Sequence, residues 1–334
     1  MNILLTSVGR RSYIVQYFKE VLGEDGKVFV CNSDPNSVAF LNADEAIVSP
    51  LVYDDSYIPF LIDYCKNNDI SIVISLFDID VMILAQNKSL IEKNGIKVVV
   101  SDAQFVNICN DKWKSFLFLH EKGFKTPQTY ISYEEVIRKI DSKEIMYPIV
   151  VKPRFGCGSI GVVKAYNEVE LYSSFRRVSR IINQSYLKYE SCKEDNVVVF
   201  QEMIDGEEYG VDIINDLHSV NRAVLIKKKI AMRSGETDIA VTVDDLDIYM
   251  ELQRLGSITK HVGNLDCDVF EQDGDIYVID MNARIGGGYP FSHIAGANLP
   301  KAIVEWCSGR DVDDKMFKVE VGVTGYKNIG ILKS

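Results

Sequence analysis

The sequence predicts an α/β doubly wound parallel sheet in its N-terminal third, followed by an α+β region of hairpins and segregated helices. Three observations lead there. Over the first hundred residues short apolar runs alternate with amphipathic stretches, the pattern of successive βαβ units. After Ser101-Asp102 two helical stretches lead into a strand, and most of the remaining chain reads as paired strands, as in α+β folds. Finally, the segments around Gly156-Cys157-Gly158 and Gln272-Asp273-Gly274-Asp275 stand between apolar runs, which marks them as hairpin turns.

In chain order, strands are expected at 3–6, 28–31, 70–75 and 96–100, with helices at about 12–22, 57–68 and 80–93. Together they make a sheet of four or five strands. Helical stretches at about 102–123 and 133–142 precede a strand at 147–152. Further helices fall near 167–182 and 244–261, and the polar stretch 183–195 reads as a surface loop. The units are drawn at 1–105, 106–196 and 197–334.

Composition narrows the function. The 334 residues are 47% hydrophobic and 25% charged, as in an ordinary globular protein. A net charge of −11 argues against a nucleic-acid partner, although local Arg and Lys can still hold a small anion. The longest apolar stretches, such as 145–151, are too short to span a membrane. The N-terminus lacks a basic region and a small-residue cleavage site, so no secretory leader is expected. Seven scattered cysteines without a Cys-x-x-Cys pair suit a reducing, cytoplasmic location and argue against a zinc site or disulfide framework.

The segment from Tyr147 to Val163 is the most informative. Gly156, Gly158 and Gly161 satisfy G-x-G-x-x-G, but a dinucleotide-binding turn must open a helix. Here Val162-Val163-Lys164-Ala165-Tyr166 follows and reads as a strand. Val162-Val163 also stand where a Walker A loop needs Lys and Ser/Thr. The strand–loop–strand order matches a protein kinase, yet no H-R-D or D-F-G follows. What remains is a hairpin whose flexible loop lays backbone N–H groups over phosphates, with Lys152 on the strand before it. A lysine between Val151 and Pro153 is costly unless its ammonium meets an anion. The alternative is a surface turn that simply needs small residues.

The second informative segment is the hairpin 266–272 and 275–281. Asp268 and Asp280 fall on one face of it, and Asn282, two residues after Asp280, shares that face. Two carboxylates and an amide oxygen suit Mg²⁺. Arg284, on the same parity, offers a fixed cation for charge on a transferred phosphoryl group. The alternative is an ordinary polar strand face.

Taken in order, Gly9-Arg10-Arg11, Asn110-Asp111-Lys112, Val150-Val151-Lys152-Pro153, the glycine loop, Gln201-Glu202-Met203-Ile204 through Glu208, and Asp280-Met281-Asn282-Ala283-Arg284 resemble the ATP-grasp superfamily. Within it they are most similar to the stand-alone carboxylate–amine ligases related to the carbamoyl-phosphate-synthetase large subunit. The resemblance implies an ATP-grasp fold after the N-terminal unit, with ATP and Mg²⁺ as cofactors and Mn²⁺ as a substitute. It further implies that Lys112 and Lys152 contact the ATP phosphates under Gly158 and Ser159. Residues 201–204 would recognise adenine, with Gln201 and Glu202 at its edge and Ile204 giving backbone bonds, and Glu208 would hold the ribose. Asp268, Asp280 and Asn282 match the metal ligands, with Asp replacing the longer acids of many relatives. Arg233, Arg284 and Lys152 are the expected catalytic groups.

The implied reaction phosphorylates a substrate carboxylate with Mg-ATP and couples the acyl phosphate to an amine, releasing ADP. Competing readings are phosphorylation of carbamate or bicarbonate, and a protein that binds ATP without chemistry. The partners are then a small carboxylate and a small amine, with no nucleic acid or membrane and with a homodimer left open. Ligands of doubly wound sheets bind beyond the C-terminal strand ends. That places Arg10, Arg11, Asp78 and Asp80 as candidates for the acid substrate, with His293 as a candidate lining of the acceptor site. The alternative for Arg10 and Arg11 is a solvent-exposed helix start.

Overall fold

The computed structural model describes residues 1–156, 158–192 and 194–332. Its first unit runs β1 (Asn2–Thr6), α1 (Ser12–Leu22), β2 (Val28–Asn32), β3 (Glu45–Val48), α2 (Tyr57–Asn67), β4 (Ile70–Ser75), α3 (Asp78–Lys93) and β5 (Lys97–Val98). The strands form a parallel sheet in the order β3-β2-β1-β4-β5. Ile3, Leu4 and Leu5 are all fully buried, because a central parallel strand is covered on both faces. β3 is absent from the sequence expectation: it is a largely exposed edge strand with no apolar period to reveal it. The strand order reverses between β1 and β4, and that switch point opens a crevice at their C-terminal ends.

The stretch read as one helix over 102–123 is two, α4 (Ala103–Asn110) and α5 (Lys112–Glu121). Asp111 breaks them: it leaves helical backbone, and its carboxylate accepts from the N–H groups of Trp113 and Lys114, an N-cap for α5.

The second unit contains β6 (Thr129–Tyr130), α6 (Tyr133–Asp141), β7 (Ile149–Pro153), β8 (Val163–Ala165), α7 (Glu168–Gln184), α8 (Leu187–Ser191) and β9 (Val198–Glu202). Its four strands pair antiparallel in the order β6-β9-β7-β8. Two expectations change here. The stretch 183–195 includes the short helix α8, whose Leu187 is fully buried. And β9, drawn with the third unit, belongs to this sheet, so the chain crosses to the third unit between Glu202 and Glu207.

The third unit contains β10 (Glu207–Asn215), β11 (Asn221–Arg233), β12 (Glu236–Thr242), α9 (Leu246–Thr259), β13 (Gly263–Gln272), β14 (Asp275–Asn282), α10 (Tyr289–Ile294), α11 (Leu299–Cys307) and β15 (Thr324–Tyr326). Its sheet is antiparallel, in the order β14-β13-β10-β11-β12-β15. Two apolar clusters run across the first and third units, one joining Leu4 and Val73 to Val211 and Met281, the other joining Ile3 and Phe18 to Leu225 and Ile303. The second unit keeps a separate core around Val151, Val178 and Phe200. No helix among the described residues is long and apolar enough to cross a membrane.

Candidate active site

The three units enclose a cleft of about 570 Å³. One end is built by two lysines that reach it from different elements. Lys152 lies in the buried part of β7, and Lys112 begins α5. Arg154 locks the two segments together, donating to both oxygens of Asp111 at 2.8 Å, while the Lys112 N–H donates to the Arg154 carbonyl at 3.0 Å. Lys112 Nζ then donates to the Gly156 carbonyl at 2.7 Å and stands 3.5 Å from Asp280 Oδ2. Lys152 is 6% exposed. Burial, reinforced by Lys112 and offset in part by Asp280 and Asp268, pushes its ammonium down from 10.5 to about 8. A buried cation held so far below its ordinary value is poised for an anion.

Gly158 and Ser159 lie over this end with φ of 66° and 57°. Cys157, between Gly156 and Gly158, lies outside the described residues. The loop rests on the turn between β11 and β12, where a Cβ on Gly235 would come within 2.5 Å of the Gly158 carbonyl.

The carboxylate hairpin has the expected register. Asp268 of β13 is directly opposite Asp280 of β14, and Asp266 opposite Asn282, so all four share one face. Asp280 Oδ1 is buried without a hydrogen-bond partner among the described residues. Asn282, which lines the cleft, donates through Nδ2 to the Asp266 carbonyl at 3.4 Å. Among the described residues no group of three or more His, Cys, Asp and Glu side chains is arranged to hold a metal by itself. Two carboxylates and one amide, one carboxylate oxygen lacking a donor, fit a cation that takes its remaining ligands from phosphates and water.

Lys229, which sequence reasoning missed, supplies the charge opposite this face. Its Nζ bridges Glu208 at 2.7 Å and Asp268 at 2.5 Å. Burial works against the ammonium, but Asp268 and Glu208 outweigh it and hold it above the ordinary lysine value. The signal available was Lys227-Lys228-Lys229 in an otherwise apolar strand. Lys227, two residues back on the same face, is buried and paired with Asp212, which also accepts from Asn264 and Ser292.

At the other end of the cleft, Gln201 is 5% exposed and donates through Nε2 to Thr129 Oγ1 at 2.9 Å. Thr129 in turn donates to the Pro127 carbonyl at 2.9 Å. The Thr129 hydroxyl proton is committed, so Gln201 must be the donor and its amide oxygen is the atom left for a ligand. Glu202, Met203, Ile204 and Glu208 line the same end.

Arg284 is buried where the first and third units meet, 3.1 Å from Asp78 and 2.7 Å from Asp266. Asp78 is therefore placed against Arg284. Arg10 lines the cleft and is exposed, whereas Arg11 donates to the carbonyls of Leu76 and Ile285 and ties the two units together.

Three expected site residues lie elsewhere. Asp80 is fully buried beneath the β1 and β4 ends, accepting from Thr6, Ser7, Ser75 and Tyr57. It ties loops together, because α3 turns its side chain inward. His293 stacks on Tyr17 with ring centroids 3.6 Å apart, and its ring meets the Tyr289 hydroxyl at 3.1 Å, away from the cleft lining. Arg233 pairs with Asp238 and donates to the Lys327 carbonyl at 3.2 Å, because its neighbour Met232 takes the cleft-facing position.

A parallel-sheet unit and two antiparallel-sheet units thus close on two lysines and a carboxylate face. Residues 109–288 match the ATP-grasp domain family, and residues 3–99 match the family described as PylC-like, N-terminal domain. The chain belongs to the ATP-grasp family. It is 23% identical over 310 residues to the carbamoyl phosphate synthase large chain of Sulfolobus acidocaldarius, covering 90% of this chain and 27% of that one. It thus spans about a quarter of the length of such relatives. Among solved structures, the biotin carboxylase domain of Hydrogenobacter thermophilus 2-oxoglutarate carboxylase superposes with a TM-score of 0.74 at 16% identity, covering 97% of this chain and 73% of that one. The L-amino acid ligase of Bacillus licheniformis gives 0.72 at 17% identity, covering 94% and 78%.

Proposed function

We propose that the protein phosphorylates a substrate carboxylate with ATP and couples the acyl phosphate to an amine. The observation that carries this is the pairing of Asp268 with Asp280 directly beneath Lys112 and the depressed, partner-seeking Lys152. Lys112, Lys152, Gly158 and Ser159 hold the triphosphate. Gln201, Glu202 and Ile204 hold the adenine, and Glu208 exchanges its bond to Lys229 for the ribose hydroxyls. Asp268, Asp280 and Asn282 would hold Mg²⁺, which would supply positive charge beside the phosphates. Arg284, fixed by its two carboxylates, faces the oxygens of the acyl phosphate, and Arg10 receives the far end of the acid. The glycine loop keeps water from the acyl phosphate. We place the reaction in the cytoplasm, where ATP and free cysteines both persist; six described cysteines are unpaired.

The test is ADP release by the purified protein against pooled carboxylic acids and amines. ADP and phosphate are the expected products, and AMP with pyrophosphate would overturn the proposal. The curated relatives favour a second reading, phosphorylation of bicarbonate or carbamate, and bicarbonate with ammonia in the same screen tests it.

A further inference from the structure

Beyond Arg284 the chain turns through Gly286-Gly287-Gly288, and a small polar recess there has no role in the scheme above. Its wall is Glu236, the first residue of β12. Its base is Gly287, where a Cβ would stand only 3.8 Å from the Glu236 carboxylate. Its far side is the ring of Phe291, which is pressed against β15 so closely that a Cβ on Gly325 would lie 2.5 Å from it. Glu236, Gly287 and Phe291 all line the cleft.

One group already occupies this recess, and it belongs to the protein. Lys327, just beyond β15, reaches back so that Nζ is 3.1 Å from Glu236 Oε2 and 5.9 Å from the Phe291 ring centroid. The same Nζ would be 3.8 Å from a Cβ on Gly287. A carboxylate, an aromatic face and a floor without side chains receive a primary ammonium on an alkyl chain. Burial would raise the Glu236 carboxyl, but Lys327, Arg11 and Arg10 outweigh it and hold it below its ordinary value, so the anion persists at neutral pH.

We infer that Glu236, Phe291 and Gly287 form the subsite for the acceptor amine, recognised as a primary alkylammonium, and that Lys327 is a tethered occupant which the amine displaces. This rests on the ligase reading for its chemistry. Glu236, Gly287 and Phe291 line the same cleft as Arg284, so an amine in the recess opens onto the proposed acyl-phosphate position. The bound ammonium passes one proton to water, and the freed lone pair forms the C–N bond. The acyl C–O bond breaks with its electron pair leaving on phosphate, which takes the second N–H proton.

The test separates the subsite from the reaction. Ligand-observed NMR with n-propylammonium chloride is run on full-length Lys327→Ala and on Lys327→Ala/Glu236→Gln, with thermal melts confirming that both fold. Binding at least about tenfold tighter in the single variant is expected, the scale of one lost charge-assisted contact. Equal affinities would overturn the inference. In parallel, hydroxylamine traps the acyl phosphate from pooled acids and Mg-ATP. Hydroxamate yield, compared between wild type and Glu236→Gln, reports acid activation apart from amine binding. If Glu236→Gln alone loses it, Glu236 belongs to acid activation and the inference fails. If the wild type forms none while propylammonium binding still depends on Glu236, the ligase reading fails and the cation subsite stands.

Discussion

At the scale of single residues, the site is made of charges kept where water cannot fully satisfy them, and Lys152 shows the consequence most directly. Its folded value of about 8 lies below the ordinary 10.5, so between those pH values the unfolded chain binds the extra proton. Stability of the nucleotide-free protein therefore rises with pH through that window. A difference of this size corresponds to roughly 3 kcal/mol of destabilisation at neutral pH. Lys152→Met should accordingly be more stable than wild type at pH 7, with the gap closing toward pH 10.5, and it should lose the stabilisation that Mg-ATP confers on wild type. Urea unfolding at pH 7 and pH 10, with and without Mg-ATP, measures both effects. A gap that does not change with pH would mean that Lys152 folds without this cost. The neighbouring Lys229 takes no such penalty, since Glu208 and Asp268 already neutralise it. The two lysines look alike in sequence and differ in whether the fold supplies their anion.

At the scale of elements, the second unit's glycine loop and the β11–β12 turn form one contact from two local conformations. Gly235 has φ +79° and sits against the Gly158 carbonyl, so any side chain there is both strained and obstructed. Gly235→Ala should hold the loop off the cleft. ADP release with acid but without amine should then rise several-fold as water reaches the acyl phosphate, with a stability loss of about 1 kcal/mol. Amine-free ADP release, compared with hydroxamate yield, separates leakage from loss of binding. The elements themselves were partly legible beforehand. The β13–β14 hairpin follows from Gln272-Asp273-Gly274-Asp275 and the period-two spacing of Asp268, Asp280 and Asn282, because both signals are local. Lys229, Asp266 and Glu236 were not found, since their roles depend on the antiparallel order β13-β10-β11-β12, a set of non-local pairings that no spacing encodes. Asp80 and His293 were misplaced for a related reason. Their sequence neighbourhood is right, but the rotation of α3 and α10 turns them into the protein.

At the scale of the whole molecule, the switch point of the parallel sheet is joined to the carboxylate hairpin by Arg284. Arg284, 7% exposed at its side chain, lies between Asp78 at the start of α3 and Asp266 of β13. Arg11 adds its bonds to the Leu76 and Ile285 carbonyls across the same seam, and both large apolar clusters continue through it. The first and third units therefore share continuous apolar cores, whereas the second unit is cored separately. That arrangement makes a specific demand on Asp78, which lies outside the cleft lining. Breaking a buried network by removing one member commonly costs about 3–5 kcal/mol, because a charge is left uncompensated. Asp78→Ala should thus lower stability by about that amount. Asp78→Asn, which keeps the volume and one acceptor oxygen, should lose less stability yet still let Arg284 turn toward Asp266. If Arg284 faces the acyl phosphate as proposed, Asp78→Asn should lower kcat by about tenfold or more while leaving KM for ATP nearly unchanged, the pattern of an interaction made only in the transition state. A rise in KM for ATP with kcat preserved would instead place Arg284 with the nucleotide, and would assign the seam to binding rather than to transfer.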